Sequence, residues 1–204
     1  MHKGIPGSIA FCPVCLGIKV AGFVLASVAA RFVFPSVSLE GRTLWLLRSS
    51  PMPVRQLLWA KFWVGTTPLL ALALGIVLVT DWLLQVSDFM FAVSVMTIAM
   101  MTIALCGMAL GFGTLFPQFE TENAAQIPTS FGGLMFMIAS VGLIAGVVVL
   151  EARPVYGYLS ARLYGTQTSP AEMLFGFGAA ATLCVVATIV PIRIAKRRLE
   201  AVER

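Results

Sequence analysis

Residues 89–116 read FMFAVSVMTIAMMTIALCGMALGFGTLF, 28 consecutive positions without one ionisable carboxylate, amine, guanidinium or imidazole. As a helix at about 1.5 Å per residue this stretch would be roughly 42 Å long, against a bilayer hydrocarbon core of about 30 Å. It is therefore predicted to cross a membrane with a tilt, a kink or a protruding end. Gly107, Gly111 and Gly113 mark where a kink or a close helix contact is expected.

Outward from this stretch, residues 9–30, 62–80, 131–150 and 173–192 are also apolar runs of spanning length. Together the five runs predict an all-α polytopic membrane protein of one transmembrane domain, residues 1–204, with its termini on opposite sides. The composition agrees. Of 204 residues 59% are hydrophobic and 11% charged, where a soluble domain carries about 25% charge. The mean hydropathy is +0.94. Too little charge is present to cover a water-facing surface, which excludes a soluble globular enzyme. The first run is the weakest, because Lys19 lies near its middle and a central lysine costs roughly 2.5–3.5 kcal/mol on insertion. A cleaved signal peptide, with His2 and Lys3 as its basic region, is the rival reading of this run. Arg31 and the basic stretch after it argue against that, since they would have to be translocated.

Lys and Arg total 14 against nine acids, a formal net charge of +5. The basic residues sit beside apolar runs, where they set orientation, so no nucleic-acid partner is inferred. Arg31, Arg42, Arg48, Arg55 and Lys61 fall on one side with Arg193, Lys196, Arg197, Arg198 and Arg204. Lys3, Lys19, Arg153 and Arg162 fall on the other. That asymmetry predicts a cytoplasmic C-terminus. Residues 81–88 become a short outer turn, 117–130 an inner connection, and 151–172 the longest outer loop. Asp81 and Asp88 are read as solvated loop acids in preference to an intramembrane cation or proton site.

Residues 31–61, RFVFPSVSLEGRTLWLLRSSPMPVRQLLWAK, are too charged to cross and too apolar to hang in water. Glu40, Leu44, Leu47 and Pro51 recur at i, i+4, i+7 and i+11, which predicts a helix over 39–48 with the leucines on one face. Ser50 and Pro51 then serve as N-cap and first position of a second helix running into the next span. One reading is an interfacial elbow, with Trp45 and Trp59 at headgroup depth and the arginines on anionic lipid. The other is a docking element for a partner.

On the residues themselves, Glu40-Gly41-Arg42-Thr43-Leu44, then Leu47, Ser50-Pro51, Leu57-Leu58 and Lys61, resemble the pattern E-x-G-T-L, L, x-P, I/L, K of permeases of type-two ABC exporters. Residues 110–127, LGFGTLFPQFETENAAQI, resemble the inner connection after the fourth span of that family, in a bacterial exporter subfamily. Arg42 and Thr43 follow Gly41, so the match needs a one-residue shift. The family unit has six spans, which makes this chain a C-terminal portion. The resemblance implies a permease subunit of an ATP-driven exporter, partnered by a separate ATP-binding subunit and by a second permease half or a homodimer mate. It places the chain in the bacterial inner membrane and assigns Glu40–Pro51 as the cytoplasmic coupling stretch, with Glu40, Arg42 and Arg48 in polar contact, Leu44 and Leu47 packed on the spans, and Pro51 opening the next helix. A non-transporting scaffold or regulator is the alternative.

A nucleotide motor built on G-x-x-x-x-G-K-[ST] is absent from the 204 residues, so the chain is expected to be no enzyme. Cys12-x-x-Cys15 could be a redox pair or half a zinc site, but His2 is the only histidine and a tetrahedral site needs four ligands. No metal or cofactor is expected, and no Ser/His/Asp arrangement is credible. Gly107-x-x-x-Gly111 and Gly142-x-x-x-Gly146 are read as generic close-packing positions.

Overall fold

A computed structural model describes residues 12–36, 38, 54–85, 87–116, 124–164 and 170–202. Among them are five α-helices: α1 (Cys12–Phe32), α2 (Val54–Leu84), α3 (Asp88–Leu115), α4 (Phe131–Tyr164) and α5 (Pro170–Val202). Short 3-10 turns occupy Phe34–Ser36 and Ala124–Thr129, and the described residues contain no strand. The all-α polytopic architecture is as expected. Four of the helices, over Trp59–Leu84, Asp88–Leu115, Phe131–Gly157 and Leu174–Ala195, are long and apolar enough to cross a membrane. A shorter apolar stretch, Val20–Ser36, covers the described part of α1 and the turn that follows it.

Local chemistry fixes the helix starts. Ser87 holds an extended backbone (φ −65°, ψ 150°) ahead of α3, and Asp88 places an acid in the first turn, where the helix dipole favours negative charge. Ser130 caps α4, its hydroxyl oxygen accepting from the Gly133 amide at 3.3 Å. Between α2 and α3 the chain reverses through Gln85 at φ 47°, a left-handed conformation that costs a non-glycine residue about 1–2 kcal/mol. Its amide donates to the Trp82 carbonyl at 3.3 Å.

Helix α3 is the axis of the bundle. It packs against all four other helices, most extensively α5, and from Met101 to Thr114 only Ile103 and Phe112 escape burial. A helix apolar around its whole circumference has no solvent face and belongs in the centre. Small residues allow the approach. A Cβ on Gly107 would lie 2.7 Å from the Thr188 side chain, and one on Gly111 would overlap Pro191, both on α5. The Gly107-x-x-x-Gly111 spacing is thus a contact within the chain. Gly142 has open space, whereas a Cβ on Gly146 would meet Leu183.

The turn Phe34–Ser36 plugs one end. Phe34 is fully buried and stacks on Phe136 of α4 with ring centroids 6.1 Å apart. Its carbonyl lies against Gly113, where a Cβ would not fit. The Lys61 ammonium donates to the Ser36 carbonyl at 2.9 Å, which fastens the foot of α2 to the same turn.

Two boundaries differ from the sequence reading. Residues 151–164, expected in an outer loop, continue α4, and α5 resumes at Pro170. Helix α2 is already formed at Val54 and runs unbroken through Pro68 to Leu84, so the expected short outer turn over 81–88 shrinks to the residues between Leu84 and Asp88. Hydropathy marks only the greasy part of a helix, and both helices extend beyond it.

Candidate functional site

Two carboxylates lie inside the bundle, each met by a hydroxyl from α3. Asp81, on the last turn of α2, is 5% exposed and accepts a hydrogen bond from the Ser94 hydroxyl. Glu151, on α4, is 7% exposed and accepts from the Thr97 hydroxyl at 2.6 Å. Ser94 and Thr97 are three residues apart and so lie on neighbouring parts of one α3 surface. Carboxylates are expensive to place in an apolar interior and mark function there by default.

The two acids differ in their surroundings. Asp81 is closed in against α3. Glu151 lines a groove of about 420 Å³ between α3, α4 and α5, walled by Phe89, Met96, Met100, Val147, Phe177 and Ala181. Thr97 and Cys184 complete its floor. The groove is thus an apolar trough holding one acid, with a hydroxyl beside it. Among the described residues no group of three His, Cys, Asp or Glu side chains could hold a metal ion. Cys106 and Cys184 are buried free thiols, and the side chains of Cys12 and Cys15 lie outside the described residues.

The residues singled out in the sequence fare differently. Glu40, Arg42, Leu44, Leu47, Arg48 and Pro51, with the expected helix over 39–48, lie outside the described residues. Asp88 is exposed, as a loop-edge acid should be, but Asp81 is not a solvated loop residue. The correction has a simple cause: α2 reaches Leu84, so Asp81 faces Ser94 across the helix pair. Glu151, first residue of the expected outer loop, instead lies within α4, and nothing in the sequence analysis marks it as a site residue. Its one sequence signal is that the helix breaker after Leu150 comes only at Pro154, a residue that a membrane helix tolerates.

Over residues 13–204 the sequence matches a family described as "Putative ATP-binding cassette". The chain belongs to this family. No curated protein matches it, and no solved structure does.

Membership in the ATP-binding cassette family corrects three expectations. The description points to the ATP-binding side of such a system, so the chain is not retained as a permease subunit of an exporter. The expectation of a non-enzyme working for an ATPase elsewhere falls with it, and the scaffold or regulator alternative fits no better. The resemblance to permeases rests on two short segments, the first needing a shifted residue, whereas the family match spans nearly the whole chain. What remains is a membrane-embedded chain whose family implies partnership within an ABC transporter.

Proposed function

We propose that this chain is the membrane-embedded member of an ATP-binding-cassette transport assembly in a bacterial inner membrane. The observation that supports the reading is that the family match over 13–204 takes in four helices long and apolar enough to cross a membrane. The basic segments 31–61 and 193–204 face the cytoplasm in this account, because they hold ten of the 14 Lys and Arg residues. Other chains of the assembly dock on the first of them, with Glu40, Arg42 and Arg48 in polar contact, Leu44 and Leu47 packed on the spans, and Pro51 opening the helix that follows.

Purification from native membranes in mild detergent tests this. The chain is expected to resist alkaline carbonate extraction and to co-purify with further chains and with ATP hydrolysis. Photolabelling with azido-ATP in the same preparation identifies the nucleotide-binding chain. Replacing Glu40, Arg42 and Arg48 together with Ala is expected to lower recovery of the partners about tenfold, the equivalent of about 1.4 kcal/mol. A chain that leaves the membrane in carbonate, or runs alone with no ATP hydrolysis, contradicts the proposal.

A further inference from the structure

We infer that the groove between α3, α4 and α5 binds a small amphiphilic cation, its apolar body held by Phe89, Met96, Met100 and Phe177 and its positive head paired with Glu151. The inference starts from an imbalance of charge. Glu151 is 7% exposed, and the Thr97 hydroxyl satisfies one carboxylate oxygen, Oε1, at 2.6 Å. Among the described residues nothing donates to Oε2, and the groove lining contains no lysine or arginine. A buried carboxylate without a countercharge is costly, and a cation brought beside it in a low-dielectric wall gains more than it would in water.

The rest of the lining selects the body that carries the charge. Aromatic, methionine and aliphatic side chains form almost all of the surface, and flexible methionines accept apolar shapes of varied outline. A hydrated inorganic cation would find one carboxylate and one hydroxyl, well short of the six to eight oxygens that calcium takes. The volume, about 420 Å³, is within the range of small-molecule sites, about 300–1,000 Å³. An ammonium or phosphonium group on a compact hydrophobic frame satisfies both wall and acid. Binding is a property of this chain by itself and does not rest on the assembly reading.

Equilibrium dialysis of radiolabelled tetraphenylphosphonium against the full chain in detergent tests the inference. The wild-type chain is expected to bind it saturably, Glu151→Gln to weaken binding at least about tenfold, and Thr97→Val to weaken it less. Glu151→Gln keeps the shape and the acceptor for Thr97, so its elution profile and helical circular dichroism should match the wild type. Gly178 lines the groove and has open space at its Cβ position, so Gly178→Leu should fill the site without disturbing the bundle and abolish binding. Absence of saturable binding by the wild type overturns the inference. So does blockage by Gly178→Leu with no effect of Glu151→Gln, because the occupant would then be held without regard to charge. A lipid that co-purifies with the wild type and is lost in Gly178→Leu, seen by mass spectrometry, would replace the small cation as occupant. Failure of the chain to co-purify with partners would leave these outcomes unaffected, so the two readings are separable.

Discussion

Gly111 shows how much a missing methyl group decides. A Cβ at this position would overlap the side chain and backbone of Pro191, so the contact of α3 with α5 exists only because residue 111 has none. Gly111→Leu is expected to force the helices apart and destabilise the bundle by about 1–3 kcal/mol, the usual cost of overpacking. The matched control is Gly142→Leu, where a Cβ meets nothing within 4 Å and the change should be near neutral. Thermal unfolding in detergent followed by size-exclusion chromatography distinguishes the two, and equal melting temperatures would contradict the packing argument. The spacing of Gly107 and Gly111 made close packing legible in the sequence. The buried acids were not. Asp81 and Glu151 stand at the margins of apolar runs, and a linear reading puts such residues in water. Their partners, Ser94 and Thr97, lie 13 and 54 residues away in sequence, on a different helix in each case, and no local pattern connects them.

At the scale of elements, α2 and the turn after α1 carry the argument. Trp59 and Trp63 are exposed at one end of α2 and Trp82 at the other. Trp82 lies 23 positions beyond Trp59, about 34 Å along a helix, close to the roughly 30 Å of hydrocarbon. Amphipathic rings at both headgroup levels fit that separation. Phe62 and Trp63 stack with or against Trp59 at 5.7 and 5.9 Å, so this end of α2 is an aromatic cluster with Lys61 at its edge. The turn Phe34–Ser36 depends on Phe136 for its seat. Phe136→Ala is expected to cost toward the lower end of about 3–5 kcal/mol, because lipid offers a truncated helix other apolar contacts. Thermal unfolding in detergent would measure this, and a change under about 1 kcal/mol would show that the stack adds nothing to the core. The centres of the spans were legible from hydropathy, but their ends were not. Val54–Leu84 and Phe131–Tyr164 outrun the apolar windows because backbone hydrogen bonding continues a helix wherever no breaker stops it, and Pro154 inside α4 is tolerated.

The whole molecule turns an apolar surface outward. Leu174 and Phe175 are 78% and 80% exposed, and Val64, Val79 and Val149 are each more than 60% exposed. In water such a surface would drive association; in a bilayer it is solvated. Polar chemistry is drawn inward, to Asp81, Ser94, Thr97 and Glu151, and α3 is the helix that both acids lean upon. Fold class was readable from composition because the bilayer constrains it so strongly. The family role was not readable from short motifs, which two different parts of a transport system can share by chance. The account stands on the helices crossing a membrane with the basic segments inside. Cysteine substitutions at Ser49 and Ser87, probed in intact cells with a membrane-impermeant maleimide, test it most directly. Ser87→Cys should be labelled from outside, and Ser49→Cys only after the cells are permeabilised. Labelling of Ser49→Cys in intact cells, or equal labelling of both, would contradict it.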